Sequence, residues 1–452
     1  MLASLCPKVR RELRARTLRD AERFRLQCPN CNCLVGLGGA AFHFDTTLSY
    51  AQHLSRSKIE KQRRGGTILH YSGLERALGS FERADALLRD VFDIFIEFGL
   101  PEGLEDQHCP LLEEHAALFV NVDLSPSKLV TVPVAVQVID QLTTYLTASG
   151  VDIFLDSPAL MIDPGTLRRW RVRAALEGAT KHLHADNVVV AVGKSALRWM
   201  QALVSELGLA HTACKTADVG VRLETAREKM APLMTGCPNP RLAFLNGRGE
   251  SVRTFCITPG GRVMYYNFAG IPVLEGQHFF GNPTRWSNIG IVTALSMEEG
   301  VDGTEHALEI GRRVSEYGGG QPVVQTVGDL FGDVPGPGGC AQEAGVGSSL
   351  IDFTAGDLRK CMPASIVDDV ASMIELLNTA SPGCVQASAT VAAPVIERVT
   401  PSLELSTDLE SSAPGIYVAG DCSSKFIGIT YGAAAGLAAA RSMAGVSSSS
   451  PR

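Results

Sequence analysis

Long apolar runs are missing from this chain. The longest small-apolar stretch, Phe426–Ala440, has 15 residues, short of the roughly 20 that a bilayer-spanning helix needs. No transmembrane segment or secretory signal is therefore expected. Basic stripes with interleaved aromatics are also absent, and the formal net charge is −7, which argues against a nucleic-acid partner. The 12 cysteines are scattered over the whole length, without the dense spacing of a small secreted scaffold. They read as reduced thiols of an intracellular, cytoplasmic protein. No second C-x-x-C accompanies Cys28-Pro-Asn-Cys31-Asn-Cys33, so a closed zinc site would lack ligands, with His43 the one nitrogen donor close by. No metal is expected there. No fixed-period repeat is visible.

What is present suits a large globular chain. Its 452 residues allow two domains and a substantial core. The first 25 residues are rich in arginine (Arg10, Arg11, Arg14, Arg16, Arg19, Arg23, Arg25). They suit a basic surface helix or an organellar or plastid transit peptide. The tail Ser447–Arg452 is expected to be disordered. Apolar residues at helical spacing predict a helix from Ser80 to about Phe98, stopped by Gly99 and Pro101. A second is predicted from Pro133 to Ser149, with Gly150 as its cap. A strand is expected at Val151–Leu155 and another at Thr67–Tyr71. The segments 159–162, 169–176 and 181–184, separated by Asp163-Pro164-Gly165 and Glu177-Gly178, read as an antiparallel meander. It leads into Val188–Gly193, whose continuous valines suit a strand buried on both faces.

A helix starting near Ser195 would leave this unit, and residues 196–385 would form an insert. Strand-like runs lie there at Asp218–Leu223, Val252–Thr258 and Val263–Asn267, and glycine loops at Gly318–Gly320 and Gly336–Gly339. The chain would return through Val395–Val399. The expected class is α/β, a Rossmann-like domain made of 1–195 and 386–452 with an inserted α+β domain of 196–385.

The closing segment, GIYVAGDCSSKFIGITYGAAAGLAAA over Gly415–Ala440, carries the most chemistry. Ile416-Tyr417-Val418 suits a buried parallel strand, and Gly420 permits a sharp turn. Asp421 is then left at the carboxyl end of the strand, where open α/β sheets bind ligands. A helix from about Thr430 would aim its free N–H groups and positive dipole end at an electron-rich ligand. Gly428, Gly432 and Gly436 bare one face of it.

This segment resembles the C-terminal motif of two-domain FAD-dependent oxidoreductases. The resemblance implies that Gly420 and Asp421 meet the ribityl and phosphate region of FAD. It also places Gly428, Ile429 and Thr430 near the isoalloxazine ring, and makes Val188–Gly193, ending at Gly193, a strand of the flavin domain. The stretch GLGGAAFHFDTTL, beginning at Gly36, is similar to a flavin-proximal loop of the uncharacterised FAD-dependent dehydrogenase subgroup, which adds Gly36, Gly38 and Gly39 to the implied cofactor contacts. VVVAVGKSA, VGVRLE, TFCITPGGRV and GGGQPVVQTVGDL follow in the same order as in that subgroup. The likeness runs from Cys28 to Met443. It implies FAD as cofactor, a small-molecule substrate and a second electron donor or acceptor.

The chain departs from the family in three places. Phe42-His43-Phe44-Asp45 replaces a more polar run ending in lysine, and Cys422-Ser423-Ser424-Lys425 stands where glycine and alanine are usual. The unit that binds the ADP end of FAD would precede Arg10. A truncated chain, a second polypeptide supplying that unit, or weakened or lost FAD binding would each account for this. Gly36-Leu-Gly38-Gly39-Ala-Ala41 is formally G-x-G-x-x-A, but it lacks a good strand before it and a good helix after it. An NAD(P)-dependent enzyme using that loop and a catalytically silent or split partner-binding relative are the competing readings. Arg222, Arg253, Arg285 and His278 are candidates for meeting an anionic or carbonyl-bearing substrate, and Cys256 and Cys422 for a redox thiol. No catalytic residue is assigned.

Overall fold

A computed structural model describes residues 38–39, 45–49, 73–103, 108–124, 127–237, 239–278, 281, 283–332, 347–397, 399, 401–423 and 425–445. The Cys28–Cys33 cluster, Gly36, Ala41, His43, Thr67–Tyr71, Gly336–Gly339 and both termini lie outside them. The fold is mixed α/β, dominated by one large mixed sheet.

That sheet has eight strands in the order Thr354–Ala355, Val323–Thr326, Thr390–Glu397, Thr216–Ala226, Trp286–Ser296, Ser251–Thr258, Arg241–Leu245 and Asn121–Asp123. The first pair is parallel and every other pair antiparallel. Its spine is the pairing of Thr216–Ala226 with Trp286–Ser296, in register from Ala226 opposite Trp286 to Thr216 opposite Ser296. Side chains alternate across a strand, so Val219, Val221 and Leu223 face one way and Gly220, Arg222 and Glu224 the other. The apolar side packs with the helix Ala364–Ala380, which contributes Val370, Met373, Ile374 and Leu377. The opposite side is covered by the hairpin Arg262–Phe268 and Ile271–Gln277, whose Val263 and Leu274 pack on Val292, Ala392 and Val395. Strands 121–123 and 390–397 belong to this sheet, which therefore draws on residues from both sides of positions 196 and 385.

The remaining elements build two further cores. A parallel pair, Val188–Val190 with Ile416–Val418, packs with the helix Leu197–Leu207 through Val190, Val418, Met200 and Leu203. The strands Ala159–Pro164, Trp170–Leu176 and Ala179–Ala185 form a three-stranded antiparallel sheet in sequence order. Trp170 ties it to the pair by donating from Nε1 to the Pro414 carbonyl at 3.0 Å. The third core joins the helix Phe81–Glu97 to the helix Ile429–Met443 through Leu87, Leu88, Val91, Ala434, Ala435 and Ala438. Close packing of these helices needs the alanines, which let the backbones approach.

Caps explain where the helices begin and end. Ser80 accepts from the Arg83 N–H at 3.1 Å ahead of Phe81–Glu97, and Asp302 accepts from Thr304 and Glu305 ahead of Gly303–Tyr317, satisfying donors that have no partner within the helix. Pro133 sits in the first turn of Val132–Ala148, where its missing N–H costs nothing. Two expectations fail: the strand from Val188 ends at Val190 and is not buried on both faces, since Val189 is exposed, and 151–155 is not a strand, with Val151 and Phe154 exposed. Among the described residues no strand pairs with it, so its backbone gains no ladder.

Candidate functional site

The two parallel strands end side by side. Ala419, just past one strand, donates its N–H to the Val190 carbonyl of the other at 3.0 Å. Both chains then turn through left-handed glycines, Gly193 with φ 71° and Gly420 with φ 75°, a conformation that L residues with a Cβ adopt at a cost. A Cβ at either position would meet nothing within 4 Å, so open space borders both turns. Short 3₁₀ turns follow, Lys194–Ala196 and Asp421–Ser423.

Across this end lies the start of Ile429–Met443. Gly428, at φ 111°, is its N-cap, Ile429 is exposed and Thr430 buried. Gly432 packs on the turn, since a Cβ there would lie 3.4 Å from Gly420 Cα. The structure thus brings Gly193, Gly420 and Asp421 to one end of the parallel pair, opposite Gly428–Thr430. Gly38 and Gly39 also have left-handed backbones, at φ 81° and 50°.

Beside the strand ends is a polar cluster that sequence reasoning missed. Lys194, the residue after Gly193, places its Nζ 2.9 Å from Glu397 Oε1 and 5.4 Å from the centroid of the Tyr266 ring. Burial works against its charge, but Glu397, Tyr266, Glu275 and Asp421 outweigh it, and Lys194 titrates well above the usual lysine range. Burial pushes the Tyr266 phenol far up, against the pull of Lys194. Tyr266 is 4% exposed, and its hydroxyl faces the Lys194 ammonium. Lys194 lies within the VVVAVGKSA stretch, so its place after a strand-ending glycine was a usable signal. Nothing in the sequence marked Tyr266, Glu275 or Glu397.

The cluster continues into the sheet. Arg222, fully buried, donates from Nη1 to the Cys256 carbonyl at 2.8 Å and from Nη2 to Glu275 Oε1 at 3.2 Å, and its guanidinium lies 5.1 Å from the Phe255 ring centre. Gly276 is glycine because a Cβ would sit 2.3 Å from Arg222 Nη2 and 2.4 Å from Asn288 Oδ1. Cys256 is an exposed residue at a β-bulge with φ 43°, the kind of irregularity that collects at functional sites. Although the residue reaches solvent, desolvation by the protein around the thiol, with the charges of Glu275 and Glu397, pushes it up, so it is not an activated thiolate. Cys422 is buried and its thiol is pushed up to about 11, chiefly by burial. Neither cysteine has the low pKa that a reactive thiol needs.

The other candidates separate. His278 is buried, and desolvation with the Arg222 charge lowers it to about 4, so it is neutral at physiological pH. Arg253 is spent on Asp218. Arg285 stacks over Trp286 at 4.8 Å. Among the described residues no group of histidine, cysteine and carboxylate side chains is placed to hold a metal, and no helix is long and apolar enough to cross a membrane.

Comparison with known proteins adds little. No family model matches the chain, and no curated protein matches it. Among solved structures, a geranylgeranyl bacteriochlorophyll reductase-like protein from Thermoplasma acidophilum aligns over 80% of this chain and 77% of its own, with 8% identity and a TM-score of 0.31. A likeness of that size carries no argument about fold or activity.

Proposed function

We propose that this protein is a FAD-dependent oxidoreductase acting on a small molecule. The observation that carries the reading is the pair of left-handed glycines, Gly193 and Gly420, at adjacent carboxyl ends of a parallel strand pair, bordered by open space and faced by a helix start. Ligands of open α/β sheets bind at such strand ends, and helix N-termini favour electron-rich groups. Gly193, Gly420 and Asp421 would hold the middle of the cofactor, Gly428, Ile429 and Thr430 its ring side, and Gly36, Gly38 and Gly39 would complete the cradle. A bound flavin supplies two-electron chemistry.

The protein's own part is positioning and charge. Asp421 contributes a carboxylate near Lys194, and the bare face at Gly428 and Gly432 permits close approach. The division of labour we propose assigns 1–195 and 386–452 to the cofactor and 196–385 to the substrate, with strands 121–123 and 390–397 extending the substrate domain's sheet. Through Glu397, on the strand that joins that sheet, Lys194 then links the two. The test is to incubate the purified full chain with FAD, desalt it and record the visible flavin spectrum. Retained flavin in the wild type and its loss in Gly420→Val are expected. A wild-type chain that retains none refutes the reading.

A further inference from the structure

We propose that the chain's own basic N-terminal segment, residues 8–25, docks on an acidic and apolar surface at the far end of the helix Val132–Ala148 and on the segment that follows it, up to Asp156. The surface does not depend on the cofactor.

The helix is buried only near its start, through Ala135 and Val138. From Thr144 to Asp152 every residue is exposed. Val151 donates its N–H to the Leu146 carbonyl at 3.0 Å, which turns the following segment back beside the helix end. Five large apolar side chains are thereby left outside: Tyr145 at 58% exposure, Phe154 at 54%, and Leu146, Val151 and Leu155. Tyr145 is fixed there by the Phe98 ring, 5.4 Å away between centroids. Single exposed apolar residues are ordinary, but a group of them marks a place where something binds.

Charge selects the occupant. No lysine, arginine or histidine occurs between Lys128 and Arg168. Asp140, Asp152 and Asp156 are exposed and make no ion pair among the described residues, whereas Asp163, the remaining acid of that stretch, is held by Arg173 at 2.7 Å. A second copy offering the same acidic patch would be repelled, and so would an anionic lipid surface. A basic segment with spaced apolar side chains is the complement.

Residues 8–25 supply both. Lys8 and seven arginines stand there against Glu12, Asp20 and Glu22, with Val9, Leu13, Leu18 and Phe24 spaced among them. The chain's other basic run, 56–64, has the charge but one apolar residue, Ile59. Reach favours the N-terminal segment too. Asp45 accepts from the Val132 N–H at 2.8 Å, so the chain stands at the near end of the same helix, whose 17 residues span about 25 Å. The 20 residues from Arg25 to Asp45 can extend up to roughly 65 Å. Within one chain the local concentration is high, so pairs that are weak singly at a solvent surface act together.

Hydroxyl-radical footprinting of the full chain tests this, with Leu167, 77% exposed between the strands Ala159–Pro164 and Trp170–Leu176, as the internal reference. Oxidation of Tyr145 and Phe154 should rise several-fold when Arg10→Glu, Arg11→Glu and Arg14→Glu are made together. It should fall back when Asp140→Lys, Asp152→Lys and Asp156→Lys are added. Unchanged oxidation of the buried Met200 and Met373 checks that the fold is intact. The unsubstituted chain gives a second reading, since in about 1 M salt the Debye length is about 3 Å, and oxidation of both aromatics should rise there as well. Absence of either rise overturns the proposal, and so does a failure of the added lysines to restore cover. Protection of Tyr145 and Phe154 that varies with protein concentration would assign the patch to a second copy and overturn it too.

Discussion

Lowering the pH should destabilise this protein through His278, and the size of the effect follows from its surroundings. The imidazole is buried at 8% exposure. Desolvation first, and the charge of Arg222 second, lower its pKa from 6.5 to about 4. In the unfolded chain the ring is in water and titrates near its ordinary value. As pH falls below about 6.5 the unfolded state takes up a proton that the folded state refuses, so stability is present above that pH and is lost as pH falls towards 4. At about 1.36 kcal/mol for each unit of difference, the full loss is ~3 kcal/mol, of which ~2 kcal/mol is gone by pH 5. The assay is urea denaturation of wild type and His278→Gln at pH 7 and pH 5. The variant has nothing to protonate at that site, so its loss over the interval should be smaller by ~2 kcal/mol. Equal losses in the two proteins, or an imidazole seen by NMR to titrate near 6.5 in the folded state, would refute the reasoning.

Two further outcomes follow from the packing. Asp302→Ala removes the side chain that accepts from Thr304, Glu305 and Cys214 N–H groups and should cost roughly 1–2 kcal/mol in urea denaturation, with Asp302→Asn costing less. Leu203→Ala opens a cavity in the fully buried core beneath the parallel strands and should cost roughly 2–5 kcal/mol; a loss below about 1 kcal/mol would show that this core relaxes.

Local structure was legible wherever the signal is local. Helical spacing with Ser80 and Gly99 gave Phe81–Glu97, and turn residues at Asp163–Gly165 and Glu177–Gly178 gave the three strands between 159 and 185. The strand read at 151–155 shows the limit, because an apolar run becomes a strand only when a neighbour supplies its hydrogen bonds. The Gly420–Asp421 turn and the helix from Ile429 were readable because glycine at a strand end and small residues at helical spacing are statements about the backbone itself.

By itself, then, the sequence determined the periodic elements, their caps and the glycine turns, since these depend on neighbours a few residues away. The order of the eight strands, which takes Asn121–Asp123 to one edge and Thr390–Glu397 to the interior, was decided only by the tertiary structure. So was the meeting of Lys194 with Glu397, 203 positions apart, and of both with Tyr266. Such a cluster is set by which faces pack together. A charge becomes a paired charge beside a buried phenol only when the sheet and hairpin close over them.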